Sequence, residues 1–169
     1  NQEIRDVEID VSQGFEKKHF NSIQLNYKNS KYYKLYIGEL EEIFISKTSR
    51  LANLNIKLIK WLSSKIGIKT KFISSSELDV SGSKTELLIN ICMKINANHY
   101  LSPIGSKGYI EKNNLFTNTG IQLSYQNYQH PTYNQLFGDF IPYLSVIDLL
   151  FNEGEKSLEI INRGSSYDW

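Results

Sequence analysis

Leu51, Leu54, Leu58, Trp61, Leu62 and Ile66 make one apolar stripe at helical spacing, and Gly67 follows at once. A stripe this long demands an amphipathic helix over 50–66 with one face buried, and the glycine is a suitable C-terminal stop. From Ile68 onward the pattern changes. "IKTKFIS", "NHYLS" and "IQLSYQNY" read as strands. Between them lie "SKTELLINICMKINA", with Leu87, Leu88, Ile91, Cys92 and Ile95 on one helical face, and "GYIEKNNLF", a short helix or turn. Strands alternating with helices at these intervals predict βαβ units and a parallel sheet, with right-handed crossovers placing helices on its faces.

The remaining segments complete an α/β reading with a helical N-terminal half. Residues 3–11 alternate Ile4, Val7, Ile9 and Val11 with polar residues, as a strand would. Helical spacing follows near 16–27 and 30–45, weakened in the second piece by Gly38. "FIPYLSVIDLLFNEG" and "KSLEIINRG" read as two short helices ending at Gly154 and Gly164. "SSYDW" has no pattern and reads as a tail over 165–169. No linker and no repeat beyond a GSK triplet interrupts the chain, so a single domain over 1–164 is expected. Its sheet should be short, mostly parallel and built from βαβ units.

Composition narrows the function classes. The 169 residues are 40% apolar, which disfavours disorder. A net charge of +1, from 19 basic and 18 acidic residues, gives no footing for non-specific binding to nucleic acid or an anionic membrane. No apolar stretch approaches the roughly 20 residues of a membrane span. The single cysteine, Cys92, allows no internal disulfide and fits a reducing, cytoplasmic setting. No histidine pair has metal-ligand spacing on one helix, so neither metal nor cofactor is expected.

In open parallel sheets, ligands bind beyond the carboxyl ends of the strands. The loops there are 74–84, with Ser76 and Lys84; 102–108, with Ser102, Gly105, Ser106 and Lys107; and 126–135, with His130, Tyr133 and Gln135. "SGSKTELL" lacks the G-x-x-x-x-G-K-[ST] spacing of a nucleotide-binding P-loop. Ser83 to Glu86 instead fits S-x-x-E, a capping box, although Lys84 and the helix end remain candidates for holding a carboxylate or phosphate. "IGSKGYI" follows a strand directly, and its glycines permit close backbone approach to an anion. Tyr109 either lines the same crevice or packs down. His19 reads as part of a solvated face and His99 as structural. His130, locked by Pro131, is the histidine placed to act as acid or base. Asp148 sits among Val146, Ile147, Leu149 and Leu150, where a carboxylate needs a partner. It is either the fourth position of an S-x-x-D helix start from Ser145 or the group that orients His130 or a substrate amine.

These same stretches carry a resemblance. "KKHFNSIQLNYKNSKYYKLY", "GSKTELLINIC", "ANHYLSPIGSKGYI" and "GIQLSYQNYQHPTYNQLFGDFIPYLSVIDLLFNEG" are similar to the WbqC-like proteins of bacteria. The most specific part is H-P-x-Y-x-Q at 130–135 followed by P-x-L-S-x-I-D-L-L-F-N at 142–152. The resemblance covers about Ile4 to Gly164. It implies a cytoplasmic bacterial protein tied to O-antigen and other surface-polysaccharide biosynthesis. The implied activity is a transferase acting on an activated sugar, such as a nucleotide sugar, or on its amino substituent. Carried onto this chain, it points to Ser102, Gly105, Ser106, Lys107, Tyr109, His130, Tyr133, Gln135, Ser145 and Asp148. Two departures stand out: a Q-P-x-Y-x-P-W-like N-terminal segment of the family is missing here, and Pro103 replaces the glycine that often follows "YLS". The alternative is a binding module without chemistry, recognising a nucleotide sugar or a partner protein.

Overall fold

The computed structural model describes residues 2–168. They form two compact units: residues 2–69 with 130–163, and residues 70–129 with 164–168. The crossings between them carry no Gly/Pro-rich linker, which is why the sequence reads without a boundary.

The first unit is helical. It holds α1 (Phe15–Tyr27), α2 (Tyr33–Ile45), α3 (Leu51–Ile66), α6 (Val146–Glu153) and α7 (Ser157–Arg163). Helix α3 is the predicted stripe. Leu54, Trp61 and Ile66 are buried, and Gly67 closes the helix at φ +93°, with its N–H and that of Ile68 returning to Ser63. The Trp61 indole donates to Glu39 at 3.0 Å, and Lys65 pairs with the same carboxylate at 2.6 Å. At the centre of this core Leu40, Leu150 and Phe151 are fully buried. Tyr36 stacks on Phe151, while Tyr27 and Tyr33 meet it edge-on, the arrangements ring quadrupoles favour.

The second unit holds α4 (Lys84–Lys94), β1 (His99–Pro103), the short α5 (Lys107–Glu111), β2 (Gln122–Tyr128) and β3 (Ser165–Asp168). β1 pairs in parallel with β2, Ser102 opposite Tyr125, so one βαβ crossover is present. Ile89, Cys92, Ile110, Phe116, Ile121 and Tyr125 form its own core.

Several expected elements are absent or different. Residues 3–11 form no strand but two single turns, Ile4–Asp6 and Val11–Gln13, with one isolated bridge between Glu8 and Arg50. Residues 68–74 form no strand either. Phe72 and Ile73 are exposed, so no partner sheet receives their apolar side chains. The sheet is therefore mixed. Ser165–Asp168, read as a tail, lie antiparallel to β2. Backbone pairing, not an apolar pattern, builds that strand, and Trp169 lies outside the described residues. Helix α4 buries Thr85, Ile89 and Cys92, a face rotated from the expected one, and Ile95 is exposed. Among the described residues no helix is long and apolar enough to cross a membrane.

Gly154 ends α6 at φ +57° with the Tyr32 ring against it, so that a Cβ there would meet the ring at 2.6 Å. Gly154→Ala is expected to cost roughly 2–5 kcal/mol, from a backbone conformation L-residues avoid plus steric overlap inside a packed core. Urea denaturation checks it, and a loss under 1 kcal/mol would show that the Tyr32 contact yields freely.

Candidate functional site

The candidate residues divide between the units. His130, Tyr133, Gln135, Ser145 and Asp148 belong to the first, and Ser76, Lys84, Ser102, Gly105, Ser106, Lys107 and Tyr109 to the second.

In the first unit the H-P-x-Y-x-Q run leads into an irregular loop anchored by α6. Ser145 begins the helix as predicted, its hydroxyl accepting weakly from the Ile147 N–H at 3.4 Å. Asp148 then points inward, only 4% exposed. The Tyr133 hydroxyl donates to its Oδ2 at 2.8 Å and the Gln135 amide at 3.0 Å, while Asn152 reaches Oδ1 at 3.3 Å. These donors are what a buried carboxylate requires. Gln135 also donates to the Ile141 carbonyl and accepts from the Ile141 N–H, closing the loop on itself. The two phenols near Asp148 respond. Burial first, then the carboxylate, pushes Tyr27 up to about 12. Burial and the same carboxylate push Tyr133 well above the ordinary tyrosine range. Both keep their protons at neutral pH.

His130 is half-buried in an aromatic box. Its ring lies 4.9 Å from Tyr143, edge-on, 5.7 Å from Phe140 and 6.1 Å from Tyr133. Its Nδ1 stands 2.9 Å from the Pro131 carbonyl. A carbonyl only accepts, so in the neutral ring Nδ1 carries the proton and Nε2 the lone pair. Tyr143 holds φ +60°, a left-handed conformation unusual for a bulky residue, while pressed on this ring. The link from Asp148 to His130 thus runs through Tyr133, which bonds the carboxylate and touches the imidazole.

Tyr133 also lines a groove of about 430 Å³. Asn134, Glu153, Lys156, Glu159 and Arg163 line it too, with the buried Ile160 among the walls. Glu153 accepts from the Asn134 N–H at 3.1 Å, tying loop to helix. Apart from Tyr133 and Glu153, these residues escape a motif search. Glu153 closes α6, Lys156 lies in the turn after it, and Glu159 and Arg163 share one face of α7.

In the second unit the glycine loops behave differently from expectation. Ser83 makes no side-chain cap on α4. Lys84, at φ +50°, turns the first helical residue left-handed, which takes Ser83 out of capping geometry. Asn90 ties the loop down instead, donating to the Ser81 carbonyl at 2.9 Å. The tight residue is Gly82, at φ +123°, where a Cβ would stand 3.2 Å from the Leu87 nitrogen. Gly105 and Gly108 adopt no positive φ and have open space around them, so the turn itself does not demand glycine there. Ser102 and Ser106 hydroxyls are 2.5 Å apart, and Ser106 donates to the Pro103 carbonyl. Lys107 approaches Glu111 at 3.9 Å and lies over the Tyr125 ring at 5.4 Å. Among the described residues the buried Tyr125 hydroxyl has no hydrogen-bond partner. Burial first, then the nearby Glu111 carboxylate, raises its pKa. Ser76 is exposed in a single turn, its hydroxyl 2.7 Å from that of Ser74, and Tyr109 is exposed. His99 meets the buried Ser124 hydroxyl at 2.9 Å, and His19 lies exposed beside Phe15 and Phe44.

Tyr133→Phe removes a donor from a buried carboxylate and is expected to cost about 1.5–3 kcal/mol. In an Asp148→Ala background the same change should cost much less, and additive losses in this double-mutant cycle would mean the pair is not coupled. Because the folded state holds the Tyr27 proton more tightly, it binds more protons than the unfolded chain between pH 10 and about 12. Stability should therefore be whole below pH 10 and fall as pH rises through that window, less steeply in Tyr27→Phe. Equal slopes for the two proteins in alkaline denaturation would refute that assignment.

Comparison with known proteins adds a lineage to this geometry. The profile of the WbqC-like protein family matches residues 1–160. The uncharacterized protein Rv1507c of Mycobacterium tuberculosis is 29% identical over 158 residues, covering 92% of this chain and 68% of that protein. No solved structure matches the chain at a significant level.

Proposed function

The chain belongs to the WbqC-like protein family, and from that premise we propose that it is a group transferase of surface-polysaccharide biosynthesis, acting on an activated sugar or its amino substituent. The observation that carries the reading is the H-P-x-Y-x-Q loop. It sets an imidazole with a defined tautomer against Tyr133, which Asp148 holds and which lines a ligand-sized groove.

In this reading His130 is the general base. An acceptor amine or hydroxyl attacks the activated carbon of the donor, its proton passes to Nε2 of His130, and the bond to the leaving phosphate breaks. Tyr133, protonated and donating to Asp148, positions the imidazole and walls the substrate. Gln135 keeps the loop shut while the reaction proceeds. In the second unit, Lys84 and Lys107 are proposed by themselves as an anion-binding set, together with Ser76, Ser102, Gly105, Ser106 and Tyr109. The open space at Gly105 makes that testable without a folding penalty, since a methyl group there meets only what the ligand brings.

The test is ligand-induced thermal stabilisation with nucleotide sugars and acyl or aminoacyl donors, followed by turnover assays of each hit. His130→Ala is expected to lower turnover by about 10²–10⁴-fold, the usual worth of a general base, while stabilisation by the ligand persists. Binding without turnover of any panel member by the unmodified protein would instead identify a recognition module.

A further inference from the structure

We propose that the groove of the first unit takes a small ligand bearing both an ammonium and an acid group, that is, an amino acid or an amino-sugar phosphate. Its volume, about 430 Å³, falls within the roughly 300–1,000 Å³ of small-molecule sites. Two carboxylates, Glu153 and Glu159, and two cations, Lys156 and Arg163, line it, so its charges sum to zero.

The unusual feature is that these charges leave one another alone. Glu159 and Arg163 stand four apart with the acid first, the favourable order for a helical ion pair. Glu153 ends α6 and Lys156 lies in the turn between it and α7, close by in sequence. Yet among the described residues no ion pair within 4.0 Å joins any two of the four. Glu153 is occupied by the Asn134 backbone, which fixes its carboxylate at the wall. A purely anionic ligand would meet two carboxylates here, and a purely cationic one would meet Lys156 and Arg163. A ligand with both signs complements the whole wall. Ile160 and the Tyr133 ring supply apolar surface for the carbon skeleton between.

This inference rests on reading the groove as the transferase's substrate site, and it names the class of that substrate. Its readout is binding with His130 intact, so its failure and a failure of the histidine chemistry are separate results.

Titration calorimetry on the whole chain at low ionic strength decides it. The probes are alanine and glucosamine 6-phosphate, with N-acetylglucosamine 6-phosphate and inorganic phosphate as controls. Saturable binding of at least one zwitterion, with controls about tenfold weaker or absent, is expected, and which zwitterion binds identifies the source. Glu159→Gln and Arg163→Gln alter exposed side chains and should leave the fold intact by circular dichroism. Each should weaken the zwitterion about tenfold, the loss of one charge-assisted contact. Controls that bind as well as the zwitterions, affinities unchanged in both variants, or no binding of either zwitterion would overturn the proposal.

Discussion

The Asp148 carboxylate is the constraint from which the C-terminal half of the helical unit follows. A charge this deeply buried survives only with its lone pairs engaged. Tyr133, Gln135 and Asn152 engage them. Asn152 comes from the same helix, one turn on, but the other two come from a stretch with no regular structure. The cost of leaving Asp148 unpaired is thereby converted into order for the 130–145 loop. Gln135 extends that order to Ile141 by a two-way exchange with its backbone. The His130 box and the tyrosine wall of the groove are downstream of the same carboxylate. A site built on irregular backbone needs such an anchor if its groups are to be preorganised.

Much of the helical unit was legible because its signals are local and periodic. The Leu51–Ile66 stripe and the Gly67 stop state one helix, and the spacing near 16–27 and 30–45 states two more. Strand reading failed where alternation had nothing to pair with. Ile4, Val7, Ile9 and Val11 alternate as a strand would, but Ile4 and Val11 remain exposed and Glu8 finds a single bridge. The opposite error occurred at Ser165–Asp168. There an antiparallel edge is held by backbone pairing to β2, which leaves little trace in side-chain composition.

The site was legible in the same uneven way. H-P-x-Y-x-Q with the S-x-x-D helix start marks residues that do meet in the first unit, because Pro131 and the Ser145 cap are local devices. The capping box at Ser83 was well formed as a string yet is unmade, since the left-handed backbone at Lys84 overrides it. Gly105 and Gly108 of the second GSK loop invite a freedom they do not use, while Gly82 of the first loop and Gly154 use it fully. Lys156, Glu159 and Arg163 carry no such mark because each, taken singly, is an ordinary surface residue.

The return of the chain to the second unit at Gly164 has a consequence for its biogenesis. Residues 70–129 can pair β1 with β2 as soon as both are made, but the outer side of β2 then presents unpaired N–H and C=O groups. Ser165–Asp168 cover that side only after the whole intervening segment of the helical unit has emerged. An open strand edge is a template for joining other chains. The newly made protein must therefore carry an adhesive edge through the synthesis of more than thirty further residues, and the strand that blunts it is among the least patterned stretches in the molecule.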